Sequence, residues 1–529
     1  MPDQTLTGII LTNAHIITLD PLHPHAEVVS ITDGKILSVG SERELERLKG
    51  GRFKIIDCHG KAIVPGFIDP HVHLSSFAES LVTTNLGPHN DVRSISDIQR
   101  SIQQLSRKIP AGSWIRCGGY NEFYLSEKRH PTRWDLDTAS IVHPIKVTHR
   151  SGLAHVLNSL ALKMAGISKE TPDPEGGLIE RDITTGEPTG LLYGMSDFLS
   201  RSIPPLESQQ LDQGIDRANR EFLSLGITSI QDASSGNDTD CWNRFQRWKT
   251  KGYFKPRVSM ILGAKAFKEY RKEDYSNSID ENSLRICGIK IVIDETTGRL
   301  NPSQTELNKI ILAIQQSGSQ AVIHAIEESA IQAACSAIEY ALRRSPRLDH
   351  RHRIEHCSVC PPHLCERLAS LGIMVVTQPA FIYYNGDRYL DTVPHSQLKH
   401  LYPFATLLEN GVHVAGSSDC PIVSLSPLIG IYSAVSRRSE TGKAILAKEG
   451  IAPMESLRMY TEYAAKATFE ENIKGSITPG KLADLVVLSN DPAKCPTEDI
   501  KNIQVELTIL NGEVVWDRIG LTNNSSFNV

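Results

Sequence analysis

Eight short apolar runs recur along the chain, and several are separated by stretches with helical spacing. They are IVPGFID (63–69), GITSIQDA (226–233), RVSMILGA (257–264), GIKIVID (288–294), QAVIHA (320–325), RIEHC (353–357), GIMVVTQP (372–379) and VHVAGSSD (412–419). Runs of this length, rich in Ile and Val, read as strands of a buried parallel sheet. Segments between them, such as ESAIQAACSAIEYALRR (328–344), place apolar residues at helical spacing. That alternation predicts βαβ units, and eight is the number of strands that closes a (β/α)8 barrel. The expected fold class is α/β, with a TIM-type barrel over 63–474.

Both ends of the chain have a different texture. GIILTNAHIITLD and VVSITDGKILSVG alternate in polarity around Asn-Ala and Asp-Gly turns, and ADLVVLSNDP and VELTILNGEVVWD are likewise strand-rich. Residues 1–62 and 475–529 are therefore expected to pair into one small composite β domain. The gap between the first two barrel runs is too long for one helix. An insertion is expected over about 84–210, including HPIKVTHRSGLAHVLNSLALKMAGI. Long loops on the C-terminal face of a barrel usually carry specificity, which makes this segment the candidate lid.

Composition narrows the partners. The 529 residues are 40% hydrophobic and 22% charged with net charge −5, so no basic field invites nucleic acid or an anionic membrane. The N-terminal pattern lacks a signal peptide, and no apolar run approaches the roughly 20 residues that span a bilayer. A cytoplasmic location and a small-molecule substrate are expected. The ten cysteines read as reduced core residues. Cys357 and Cys360 form a C-x-x-C with Cys365 nearby, but no second pair stands at zinc-site spacing.

The stretch GFIDPHVHLSS (66–76) ends an apolar run in a carboxylate, a proline and two histidines one residue apart. In an extended chain residues i and i+2 point the same way, so His71 and His73 aim two imidazoles at one point. Functional groups of a parallel barrel sit at the C-terminal strand ends. There the fourth run carries Lys290, the fifth His324, the sixth His356 and the eighth Asp419. Taken singly, His324 or His356 reads as a satisfied core histidine, and Asp419 as a turn residue. Lys290 is costly to bury as a cation. Addition of carbon dioxide would make it an anionic ligand able to bridge two metals. Together, His71, His73, Lys290, His324, His356 and Asp419 make a candidate site for one or two divalent ions, Zn2+ foremost.

VPGFIDPHVHL, HAI, RIEH, GSSDCPI and GSITPGKLADLVVL resemble the amidohydrolase superfamily. Within it they resemble the branch of N-substituted formamide deformylase and the YtcJ-like metal-dependent hydrolases. The resemblance runs nearly end to end, through RHPTRWDLD (129–137), VLNSLALKMAGI (156–167), GEPTGLL (186–192) and PLIGIYSAVSRR (427–438). It implies a (β/α)8 barrel with a composite β domain, and a homodimer. It also implies that His71 and His73 ligate the more buried metal, that Lys290 is carboxylated, and that His324 and His356 are further ligands. Asp419 would be both ligand and proton shuttle. After His324 the branch reads Ala-Ile-Gly-Asp-Arg-Ala, whereas this chain has AIEESA, with Glu327 and Glu328 in place of glycine and aspartate. KIVIDETTGRL likewise departs from the branch's usual run after the lysine.

The expected activity is hydrolysis of a non-peptide carbon–nitrogen bond of amide, formamide or carbamate type by a metal-activated water. Asp419 would take and return the proton. His356, or His149 or His155 from the insertion, would hydrogen-bond the developing oxyanion. Tyr120, Asn121, Phe381, Tyr383 and Tyr384 are the expected contacts for an apolar or aromatic substrate group. Two alternatives carry weight. One is a mononuclear deaminase of an aminated heterocycle, against which Lys290 counts. The other is a non-catalytic assembly protein, against which the filled ligand positions count.

Overall fold

The computed structural model describes residues 7–41, 43, 52–174, 176–269, 280–295, 300–524 and 526–527. One sheet in it is the expected barrel. Its strands are β1 (Phe67–Val72), β2 (Ile227–Asp232), β3 (Arg257–Gly263), β4 (Leu284–Val292), β5 (Ala321–Ala325), β6 (Arg353–His356), β7 (Met374–Thr377) and β8 (Val414–Gly416). They follow one another in chain order, each parallel to the next. The sheet closes just past the end of β8. Asp419 N–H donates to the His71 carbonyl and His73 N–H to the Cys420 carbonyl, both at 2.9 Å, around a parallel bridge between Val72 and Cys420.

The first apolar run proves to be two strands in two sheets. Ala62–Pro65 pairs outside the barrel, and β1 starts only at Phe67. Gly66 makes the break. A Cβ there would lie 2.2 Å from Thr228 Oγ1, and the Gly66 N–H donates to the Asp484 carbonyl at 2.8 Å. A continuous apolar run hides a change of sheet because both strands are buried on both faces. The fourth strand also starts earlier than expected, at Leu284.

Strands from the two chain ends share a sheet, as expected. Its order is Glu513–Asp517, Val505–Leu510, Leu485–Leu488, Ala62–Pro65, His15–Ile17 and His25–Ala26. Leu485–Leu488 runs antiparallel to Ala62–Pro65 and joins the two halves. A second sheet holds Ser526–Phe527, Arg52–Asp57, Thr7–Thr12, Val28–Thr32 and Lys35–Gly40. Leu11, Ile31, Ile56, Ile63, Leu485 and Leu507 belong to one apolar core formed by residues of both sheets. The Asp33–Gly34 turn, with φ of 48° and 72°, and the Asn511–Gly512 turn, with 53° and 77°, are left-handed at both positions. That conformation is what two-residue hairpins require. Arg257, at the start of β3, clasps Asp484 through Nε–Oδ2 at 2.7 Å and Nη2–Oδ1 at 2.9 Å. Asp484 Oδ1 also accepts the Asn511 N–H at 2.8 Å.

A second compact unit comprises Leu74–Ala218. Its sheet orders Leu178–Arg181, Pro188–Tyr193, Ala154–Leu157, Ile145–His149, Ile115–Tyr120 and Thr84–Asn85. Tyr120 is fully enclosed in its core with Ile98, Val147 and Val156, and its hydroxyl lies 2.8 Å from His130 Nδ1. His155 is buried with Nδ1 at 3.2 Å from Thr148 Oγ1 and Nε2 at 2.9 Å from Ser196 Oγ. Burial pushes its pKa down to about 3. His149 Nε2 lies 2.8 Å from Glu122 Oε2, while Nδ1 accepts the Ser151 N–H at 3.1 Å. Among the described residues no helix is long and apolar enough to cross a membrane.

Two outcomes follow from these contacts. Asp484→Ala strands a buried guanidinium, and the expected cost is about 3–5 kcal/mol, read as a lower urea midpoint at unchanged slope. For His155 the folded-state pKa of about 3 lies below the unfolded value of about 6.5. The unfolded chain therefore binds more protons between those values. Its contribution to stability is intact above about pH 6.5 and is lost as pH falls toward 3. The urea-midpoint difference between wild type and His155→Gln should shrink as pH falls from about 7 to 4, and a pH-independent difference would contradict the assignment.

Candidate metal centre

The end of β1 and the turn after β8 bring three donors together. His71 Nδ1 hydrogen-bonds the Glu355 carboxylate through Oε2. An ionised carboxylate only accepts, so Nδ1 carries the proton and Nε2 offers a lone pair. Nε2 lies 3.5 Å from Asp419 Oδ1 and 3.4 Å from Lys290 Nζ. His73, just past the strand, has Nδ1 at 3.1 Å from Ser234 Oγ and Nε2 at 3.1 Å from Asp419 Oδ1. Asp419 takes a left-handed φ of 57°, sparsely populated by non-glycine residues. Its N–H bond to His71 holds it there. One donor atom each from His71, His73 and Asp419 lies within 4.8 Å of the others, and among the described residues no other such trio converges as closely.

This donor set fits a divalent cation. Two ligands bonded to one ion at about 2.0–2.2 Å stand about 3–3.5 Å apart. The two imidazole-to-carboxylate separations, 3.1 and 3.5 Å, match that spacing. Two imidazoles and a carboxylate are the nitrogen and oxygen donors that zinc and its neighbours take.

The electrostatics agree. Burial lowers the His71 pKa well below the imidazole range, with Lys290 adding to it, and the neutral ring is the ligating form. Burial pushes Asp419 upward, but His71, His73 and His356 outweigh it and hold the carboxyl well below the usual range. Asp69, behind the site, is raised to about 7 by burial despite accepting the Ser418 and His71 N–H groups at 3.2 Å. Lys290 is 3% exposed. Its pKa is lowered chiefly by burial, against the pull of Glu355 and Asp419.

His324 and His356 form a neighbouring pair. Their ring centroids are 4.3 Å apart, and His356 is 5.0 Å from His71. His356 and Cys357 both have left-handed φ, 71° and 50°, where β6 turns away. Gln378 Nε2 donates to Ser417 Oγ at 3.0 Å, so its Oε1 accepts His356 Nδ1 at 2.9 Å. His356 Nε2 is thereby left with a lone pair, suited to a ligand more than to a hydrogen-bond donor. The six residues singled out in the sequence all lie on this face of the barrel, though the close trio omits Lys290, His324 and His356.

The other expected contacts are placed differently. Tyr120, His149 and His155 sit in the second unit's own network. Asn121 accepts the Phe123 N–H at 3.1 Å and so caps a short helical turn. Phe381 lies in the helix Ala380–Thr392 and packs on Tyr402, with centroids 6.4 Å apart. In the same helix Tyr383 stacks edge-on with Tyr384 and Tyr432. Cys357, Cys360 and Cys365 are buried and free. Glu327 and Glu328, after β5, line a depression of about 460 Å³ with Ser329, Gln332 and Gln397. Sequence reasoning missed Glu355, Ser234, Gln378 and Asp69. Glu355 carried a signal, as a second charge in the apolar run RIEHC, and Asp69 was visible as the carboxylate that ends the run before His71.

Comparison with known proteins gives this geometry a family. The N-substituted formamide deformylase of Arthrobacter pascens is 29% identical over 97% of this chain and 99% of its own length. The putative amidohydrolase YtcJ of Bacillus subtilis (strain 168) is 27% identical over 93% of this chain and 96% of its own. An uncharacterized metal-dependent hydrolase from Pyrococcus furiosus shares the fold with a TM-score of 0.71 at 24% identity, covering 92% of this chain and 100% of that one. The amidohydrolase family model matches residues 54–516, from the terminal sheets through the barrel, and the chain belongs to the amidohydrolase family.

Proposed function

We propose that this hydrolase cleaves the carbon–nitrogen bond of a neutral N-substituted formamide or related small amide. The convergence of His71, His73 and Asp419 beside buried Lys290 is the observation that carries the reading. The full-length likeness to a relative named N-substituted formamide deformylase supports the choice of bond. His71, His73 and Asp419 would hold a divalent ion, zinc foremost, with Lys290, His324 and His356 as further ligands. When bound, the ion supplies Lewis-acid polarisation of the carbonyl and lowers the pKa of water.

The chain's own groups do the rest. The Asp419 carboxylate takes a proton from the attacking water and returns it to the leaving nitrogen, which departs poorly as an anion. Asp419, held well below the usual carboxylate range, is in the ionised form that can accept a proton. Burial favours the neutral amine of Lys290. That amine adds carbon dioxide, forming a nitrogen–carbon bond and losing one proton, to give a carbamate ligand.

The surroundings favour an apolar, uncharged substrate. Val292 and Ile326 lie two residues beyond Lys290 and His324. Strand alternation places Val292 on the face of Lys290, one layer nearer the mouth. Both are apolar yet 40% and 37% exposed. Glu327 and Glu328 beside β5 repel a carboxylate-bearing substrate.

Metal-loaded protein should release amine from N-alkyl or N-aryl formamides, and chelator-stripped protein should not. Asp419→Asn should lower kcat about 10²- to 10⁴-fold, and Val292→Glu should raise KM more than it lowers kcat. Ammonia released from an aminated heterocycle, with none of the formamides cleaved, would replace this reading with a deaminase.

A further inference from the structure

The polar groups beneath the centre form a connected column inside the barrel. Arg353 and Glu355 stand two apart on β6 and project from the same face. Both are 0% exposed. Arg353 donates Nε to Glu355 Oε1 at 2.7 Å, Nη2 to the Pro70 carbonyl at 3.1 Å, and Nη1 to Gln231 Oε1. Gln231 Nε2 in turn donates to the Ala464 carbonyl at 3.0 Å. The second oxygen of Glu355 faces His71 Nδ1.

An ion pair this deeply buried is a weak device for stability, since apolar residues of the same volume often do as well. Its geometry points elsewhere. The Nδ1 atoms of the neighbouring histidines His73 and His356 have uncharged partners, Ser234 Oγ and Gln378 Oε1. On its Nδ1 side, His71 alone of the three faces a carboxylate, and that carboxylate is locked by an arginine with further anchors. We infer that Glu355, oriented by Arg353, is the positioning residue for His71. It keeps the ring proton on Nδ1 and turns the Nε2 lone pair toward Asp419 and Lys290. A glutamine at 355 could present either its oxygen or its NH2 group to Nδ1, so both tautomers would become accessible. This inference rests on the metal-site reading above.

The test titrates wild type, Glu355→Gln and the double variant Glu355→Gln/Arg353→Met with Co2+ against a chromophoric chelator. The double variant removes both buried charges and keeps the measurement available if the lone arginine unfolds the single variant. With wild-type circular dichroism and thermal transition, a Kd raised about 10- to 100-fold is expected. A folded variant binding Co2+ within twofold of wild type overturns the inference. Histidine-selective 15N labelling of metal-free protein reads the His71 tautomer directly. The proton should sit on Nδ1 in wild type and be shared with Nε2 in Glu355→Gln, and an unchanged tautomer overturns the inference. If wild type takes up no metal, the metal-site reading fails, while the tautomer measurement still decides the role of Glu355.

Discussion

Barrel closure and site assembly depend on the same two hydrogen bonds. Asp419 N–H to the His71 carbonyl and His73 N–H to the Cys420 carbonyl join the turn after β8 to the end of β1. They complete the cylinder that the first and last strands would otherwise leave open. They also place a carboxylate from residue 419 against two imidazoles from residues 71 and 73. A site built on those bonds forms only when the barrel is shut, and its donors are held by backbone, the least mobile part of a fold. The left-handed backbone at Asp419 and His356 is tolerated for the same reason: surrounding bonds over-determine it.

Around that seam the interior departs from the apolar packing usual in such barrels. Lys290, Arg353, Glu355, Asp69 and Asp419 are all buried, and each has a named partner or a perturbed charge. Compensation is local: Arg353 offsets Glu355, and the histidines offset Asp419. Such an arrangement sacrifices some stability for a field focused at one point, the trade expected where a cation is to be bound and a carbonyl polarised.

The barrel was legible because strand–helix alternation and apolar runs are local signals, and the His-x-His pair was legible because a strand has period two. The strand-rich texture of each end was legible from its turns, Asp33–Gly34 and Asn511–Gly512, whereas the pairing of the two ends was an expectation that no local pattern could establish. What stayed hidden was long-range. Nothing local distinguishes Ala62–Pro65 from Phe67–Val72 as members of different sheets. The partnership of His71 with Glu355 joins residues 284 apart in sequence. Glu355 was nonetheless visible by the same reasoning applied to Lys290, a charge inside an apolar run. The aromatic residues of 381–384, expected as substrate contacts, lie in a helix where Tyr383 packs edge-on against Tyr384.

The shared terminal sheet has a consequence for how the chain matures. Ala62–Pro65 pairs with Leu485–Leu488, and about 420 residues separate Pro65 from its register partner Leu485. During synthesis, from the amino end onward, one edge of that early strand therefore stays unpaired until Leu485–Leu488 has been made. Bare edges are templates for pairing with other chains, and contacts this distant in sequence form late. The strand sits two positions before β1, so a nascent chain that mispairs there also misplaces His71. Fidelity at the metal centre is thus tied to a zipper made about 420 residues later, and loss of Leu485–Leu488 penalises assembly far from the cut.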